Sequence, residues 1–317
     1  MSLQKKYRYI NPHVSKIRRS LFDLFLWKAG FYKDAHPIPV VPSSFSYPLP
    51  EAPLNPHAPR VTWINHSTFL IQIEGTHLLT DPIWSERCSP LKNLGPKRHH
   101  LAPLEIADLP KIDYVLISHN HYDHLDKKSV RKLHTLFPSL TWFVPSGVKK
   151  WFLSEGINNV VELGWWEEAT VEGLKFTLTP AQHYSGRCGY DLNRTLWGGW
   201  VVESSAKRFY FVGDTGYNPH DFKQIGKKWG FMDLSLIPIG CYRPRKFMSP
   251  VHVEPKDAVR IHQEVGSKLS LGMHWKTFHL ADESPHEPPY DLFLALQEGG
   301  IDPLTFLAVE PGYSVNW

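Results

Sequence analysis

From residue 61 onward the apolar positions fall into short runs, either alternating with polar residues or unbroken, as β-strands require. Residues 61–64, 68–73 and 77–80, with a turn at Glu74-Gly75, predict an antiparallel hairpin sheet. Residues 114–117 read as a fully buried strand, residues 127–137 carry helical spacing through Val130, Leu133 and Leu136, and residues 140–144 resume as a strand. Further strands are expected at 174–178, 208–213, 269–273 and 305–309. Residues 254–265 predict a helix with Pro255 at its first position and Ala258, Val259, Ile261, His262 and Val265 on an inner face; a last helix is expected near 290–298. Alternating strands and helices of this kind suit a β-sandwich flanked by helices. Residues 35–60 hold eight prolines and little periodicity, so they read as an extended connector. The division expected is an N-terminal basic and apolar segment with its Pro-rich connector, 1–60, followed by one α/β (α+β) domain, 61–317.

The strands share a way of ending. His119-Asn120-His121-Tyr122-Asp123-His124 follows the run 114–117 and places four potential ligands within six residues. His183 follows strand 174–178, Asp214 follows strand 208–213, and His274 follows strand 269–273. Imidazole nitrogen and carboxylate oxygen are the ligand set of zinc and its neighbours, and a tight turn leaving a buried strand can aim alternate side chains into one pocket. A lone His after a strand is ordinarily a hydrogen-bonded structural residue; the joint occurrence of these residues is what points to metal.

Composition narrows the class. Of 317 residues 42% are hydrophobic and 13% aromatic, which describes a globular chain able to bury a large core. Three scattered cysteines, Cys88, Cys188 and Cys241, suit neither a disulfide framework nor a C-x-x-C metal site, so a reducing, cytoplasmic setting is expected. The net charge of +4 is uneven: residues 1–33 carry eight Lys and Arg against Asp23 and enclose the apolar run 21–27. That run is far short of the roughly 20 residues that span a bilayer. Two readings stay open: a short helix lying on the anionic inner face of a membrane, or a helix packed on the domain. The basic residues gather in one terminal segment with no aromatic platform spaced for RNA, so no nucleic-acid partner is expected.

The motifs Thr62-Trp63-Ile64-Asn65-His66-Ser67, Leu79-Thr80-Asp81-Pro82, LISHNHYDHLD at 116–126, Trp165-Trp166-Glu167-Glu168, Thr179-Pro180-Ala181-Gln182-His183, Gly213-Asp214-Thr215-Gly216-Tyr217, Ile237-Pro238-Ile239-Gly240 and Met273-His274-Trp275 resemble the metallo-β-lactamase superfamily. Within it the chain looks most like the phospholipase D group that hydrolyses N-acylphosphatidylethanolamine, over roughly residues 60–310. The resemblance implies an αββα sandwich with two divalent metals, zinc being expected. His119, His121 and His183 would hold one ion, Asp123, His124 and His274 the other, and Asp214 would bridge them. A metal-bound hydroxide would attack phosphorus, releasing phosphatidic acid and N-acylethanolamine without a Ser-His-Asp nucleophile. Tyr122 and His252 would meet the substrate, while Asp81 and His66 would orient ligands from behind. Arg243 and Arg245 are candidates to meet phosphate or to face water. The sequence departs from the lipase pattern at Asn65-His66-Ser67 and at 184–193, so the acyl-chain selection of that group is not carried over to this chain. Competing readings are a hydrolase of a soluble phosphorylated lactone or other small ester, a metal-dependent RNase, and a non-catalytic membrane-binding protein; retention of every expected ligand argues against the last.

Overall fold

A computed structural model of the chain describes residues 8–14, 21–32, 34, 39–51, 54–188 and 190–317. Strands β1 (Arg60–Asn65), β2 (Thr68–Ile73), β3 (Thr76–Thr80), β4 (Tyr114–Leu116), β5 (Thr141–Pro145) and β6 (Val160–Leu163) form one sheet in sequence order. A second sheet contains β7 (Glu168–Val171), β8 (Leu174–Thr179), β9 (Gly199–Glu203), β10 (Arg208–Phe211), β11 (Met232–Pro238), β12 (Ser267–Met273) and β13 (Phe306–Leu307), also in order; β14 (Ser314–Asn316) returns to pair with β1. Both sheets open as antiparallel meanders and turn parallel midway, at β3–β4 in the first and β10–β11 in the second. Parallel neighbours need crossover connections, which place helices on the outer faces.

Those helices are α2 (Lys127–Leu136) and α3 (Lys149–Ser154) beside the first sheet, and α4 (Asp221–Trp229), α6 (Pro255–Glu264) and α7 (Glu287–Glu298) beside the second. Two others, α1 (Leu21–Lys28) and α5 (Arg245–Met248), lie off this scheme. The sequence shows why each forms. Asp126 caps α2 by accepting from Ser129 N, and Val130 and Leu133 face inward. Pro255 opens α6, where the absent N–H costs nothing. The core lies in two layers. Between the sheets Phe143 and Phe176 stack with ring centres 3.8 Å apart and Trp63 packs on Trp275. Outside the first sheet Ile64, Val115, Trp142 and Phe152 meet α2 and α3. The chain is therefore an αββα sandwich, as expected.

The N-terminal segment is attached to the domain wherever it is described. Asn11 exchanges two hydrogen bonds with the backbone of His183, at 2.8 and 3.1 Å, and Tyr9 N donates to Asn193 O. On α1, Trp27 is buried against Phe247 and donates from Nε1 to Asp282 at 2.7 Å. Asp34 pairs with Arg243 at 2.9 Å. Lys5, Lys6, Lys16, Arg18, Arg19 and Lys33 lie outside the described residues.

Candidate metal centre

The ends of β4, β8, β10 and β12, together with the β1–β2 turn, meet at one edge of the sandwich. Asp214 stands at the middle. Its Oδ2 lies 3.1 Å from His274 Nε2, 3.2 Å from His124 Nε2, 3.7 Å from His183 Nε2 and 3.9 Å from both His119 Nε2 and His252 Nδ1. Gly213, at φ 68°, makes this approach possible, since a Cβ there would come within 2.8 Å of Gly198 O and Ser118 Cβ.

Around this carboxylate the ligand atoms form two groups. His119 Nε2, His121 Nδ1 and His183 Nε2 converge, with His121 Nδ1 2.8 Å from His119 Nε2 and 3.4 Å from His183 Nε2. Tetrahedral zinc with bonds of about 2.0–2.1 Å separates its nitrogens by roughly 3.3 Å, so these spacings admit an ion with small adjustments. The other group is Asp123, His124 and His274 with His66: Asp123 Oδ2 lies 3.3 Å from His124 Nε2 and 3.5 Å from His274 Nε2. His66 Nε2 reaches the same oxygen at 3.0 Å, which places it beside the ligand atoms of this group.

Supporting hydrogen bonds set the imidazole orientations. Asp81, fully buried, accepts from His124 Nδ1 at 2.6 Å and from Ser118 N at 2.7 Å. His183 Nδ1 meets Val251 O at 3.0 Å, which turns its Nε2 into the cluster. Such partners fix the tautomer as well as the ring plane. Asp81 and His66, expected to orient ligands, are both hydrogen-bonded to residues of the cluster.

The electrostatics fit dications. Burial drives the pKa of His66 and His183 down to about 3 and that of His121 to about 4, and it lowers His119 as well, so these rings are neutral and offer lone pairs. Burial opposes charge on His124 and His274 too, but Asp214 and Asp123 outweigh it and pull His274 up to about 9. His124 Nε2, His274 Nε2 and Asp214 Oδ1 are buried without an aligned hydrogen bond. Buried polar atoms in that condition are costly, and cations between them would satisfy all three.

A cleft of about 300 Å³ opens onto the cluster, floored by His121, Asp123, Asp214 and His274 and walled by His252 and Tyr122. Trp27, Met248 and Leu280 add an apolar wall. Sequence reasoning did not place Trp27, Tyr184 or Arg187 here; Arg187 stacks on Tyr122 with its guanidinium carbon 4.2 Å from the ring centre. Arg243 and Arg245 do neither thing expected of them. Arg243 is buried and pairs with Asp34, Glu287 and Asp291, and Arg245 pairs with Asp257 and donates to His252 O at 2.9 Å. Arg245 thereby holds the backbone of His252, while Arg243 ties Asp34 to α7.

Residues 76–275 match the family described as the beta-lactamase superfamily domain. N-acyl-phosphatidylethanolamine-hydrolyzing phospholipase D 1 of Caenorhabditis elegans is 40% identical over 262 residues, 79% of this chain and 74% of that protein. The mitochondrial N-acyl-phosphatidylethanolamine-hydrolyzing phospholipase D of Saccharomyces cerevisiae is 37% identical over 245 residues, 75% of this chain and 52% of the longer yeast protein. A solved metallo hydrolase from the archaeon Ignicoccus hospitalis shares the fold, with a TM-score of 0.61 at 20% identity over 82% of this chain and 98% of that one.

Proposed function

The chain belongs to the beta-lactamase superfamily, and from its site we propose that it is a dinuclear metal-dependent phosphodiesterase that hydrolyses N-acylphosphatidylethanolamine-like phospholipids to phosphatidic acid and N-acylethanolamine. One observation carries the reading: five imidazole nitrogens surround a single oxygen of Asp214, as a carboxylate shared between two ions requires. His119, His121 and His183 would hold one ion and Asp123, His124 and His274 the other. Two such ions would supply an acidified water and neutralise charge on phosphate, and zinc suits this donor set. Relatives named for this lipid activity support the substrate class.

The chain's own residues have defined tasks. Asp123 and Asp214 offset the charge of two dications. His252, whose carbonyl Arg245 holds, presents an imidazole at the cleft wall that can hydrogen-bond a phosphate oxygen or return a proton to the departing alkoxide. Tyr122 stands where the headgroup enters. Trp27, Met248 and Leu280 exclude water from the apolar side of the cleft. Among the described residues no helix is long and apolar enough to cross a membrane. Phe22, Phe25 and Phe31, each at least 63% exposed, offer α1 and its exit as the contact with a membrane surface.

The bond broken decides the reading. In water enriched in heavy oxygen the label enters phosphatidic acid and the released N-acylethanolamine carries none. Label in a free fatty acid, or opening of a phosphorylated lactone with no lipid turnover, overturns it.

A further inference from the structure

Beside the catalytic cleft lies a second cavity of about 580 Å³ that shares two residues with it, Tyr122 and Arg187. Arg187 belongs to the segment 184–193, where the sequence departs from the lipase pattern. Its guanidinium is sandwiched by aromatic rings, 4.2 Å from Tyr122 and 5.5 Å from Trp151, and donates from Nη1 to Leu125 O at 3.0 Å. The loop carrying it is pinned to the ligand turn, because Gly186 N donates to Asn120 Oδ1 at 2.8 Å. This cation is therefore held in a set position at the junction of the two cavities.

Among the described residues Arg187 has no ion-pair partner within 4 Å. Asp126 and Asp191 act on its charge only through space, because the hydrogen bonds of both carboxylates go to other donors. Asp191 accepts from the backbone N–H groups of Arg187 and Cys188, and Asp126 accepts from Ser85 and from Ser129 at the head of α2. The remaining acid of the lining, Glu86, pairs with Lys97 at 2.9 Å. Of the other cations there, Lys127 and Arg131 pair with Glu155, while Arg87, which donates to Gly95 O, and Lys92 and Lys128 have no ion-pair partner among the described residues. A guanidinium does not shed its proton, and a half-buried one without a counterion is costly unless a ligand supplies the anion. The lining contrasts with the apolar wall that Trp27, Met248 and Leu280 give the cleft, so the headgroup rather than a glycerol-linked acyl chain belongs here.

We propose that this cavity is a subsite for a second anionic group on the substrate headgroup, a carboxylate or a phosphate, and that Arg187 is the residue that selects for it. The inference rests on the phosphodiesterase reading and goes beyond it in one respect: the favoured phospholipid carries, beyond the scissile phosphate, a negative charge on the alcohol that departs, which N-acylethanolamine itself lacks. Water adds across the phosphorus–oxygen bond as before, and the alcohol leaves with its proton and its anionic group intact. The fork of Arg187 would bind that group through charge-assisted hydrogen bonds, with Lys92 and Lys128 adding to the local field.

Binding of small headgroup probes to the metal-loaded protein tests the subsite without requiring turnover. N-acetylphosphoserine and N-acetylphosphoethanolamine differ by one carboxylate; glycerol 1,3-bisphosphate and glycerol 1-phosphate differ by one phosphate, so the pair with the larger gap tells which anion is meant. Calorimetry should find the doubly anionic member of at least one pair bound roughly ten-fold tighter by wild type. Arg187→Gln should remove that gap, Arg187→Lys should leave part of it, and Lys128→Gln should narrow it slightly, with metal content confirming that each variant is folded. Equal affinities within both pairs in wild type, or a gap that survives Arg187→Gln, overturns the proposal. Hydrolysis of dihexanoyl N-acetylphosphatidylserine against the ethanolamine analogue, both below their aggregation concentration, separates the two readings. Failure to cleave either lipid defeats the lipid phosphodiesterase function, while the binding pairs still decide the subsite.

Discussion

At the scale of single residues the site is organised around Asp214, whose carboxylate lies within 4 Å of imidazoles from both ligand sets. Replacing it tests the centre with the least change of shape. Asp214→Asn should lower turnover by more than about 100-fold and reduce the metal retained on purification, because an amide supplies no charge to share. Wild-type activity with full metal content in that variant would show that Asp214 does not bridge. The supporting residues were legible to different degrees. His119, His121, Asp123 and His124 are announced by their spacing, because one turn brings them together. Arg187 is not: its partners Tyr122, Trp151 and Leu125 come from other parts of the chain, and nothing in its own neighbourhood marks it. Arg243 and Arg245 mislead for the same reason, since an ion-pairing arginine and a phosphate-binding one look alike until Asp34, Asp257, Glu287 and Asp291 are placed.

At the scale of elements, α6 and α1 make separable predictions. His262 on the inner face of α6 is buried, bonds Ser270 Oγ at 2.8 Å and packs on Phe306; burial lowers its pKa to about 4. A histidine whose folded pKa is depressed refuses a proton that the unfolded chain accepts. Its contribution is therefore complete above the unfolded value of about 6.5 and is lost as pH falls towards 4, roughly 3 kcal/mol over the full window. His262→Asn should flatten the fall in urea midpoint between pH 7 and pH 4 relative to wild type; an equal fall in both proteins would mean that His262 does not titrate as described. On α1, Trp27 faces the cleft while Phe22 and Phe25 face out. Changing both phenylalanines to serine should weaken binding to anionic vesicles roughly ten-fold while leaving hydrolysis of a soluble phosphodiester as in wild type. Unchanged vesicle binding would leave α1 as a packed helix only. Sequence periodicity found the hairpin β1–β2–β3 and the helices α2 and α6, the two helices each keeping an exposed face. It passed over β11, whose seven residues are all buried, because a central strand covered on both faces shows no alternation, and its Asp233 and Ser235 blur the apolar run.

At the scale of the whole molecule the centre joins the two sheets. His119, His121, Asp123 and His124 leave the first sheet, whereas His183, Asp214 and His274 leave the second. Ions held between them would tie the halves, so metal binding and folding are linked. Purified protein should contain close to two divalent ions per chain by elemental analysis. Stripping them should lower the melting temperature by on the order of 10 °C, given about 4 kcal/mol of linkage at a thousand-fold excess over the dissociation constant. The Asp214→Asn variant should respond much less to the chelator; an identical response would separate the metal from that residue. The sequence by itself determined the ligand types, their position just past buried strands and the helices with one wet face, because spacing and periodicity are local properties of the chain. Only the tertiary structure decided which strand ends share an edge, that Asn11 returns to the backbone of His183, and that Arg187 stands between two cavities with no ion-pair partner among the described residues. Those outcomes depend on strand order and on contacts between distant segments, where each side chain is defined by partners its own neighbourhood does not name.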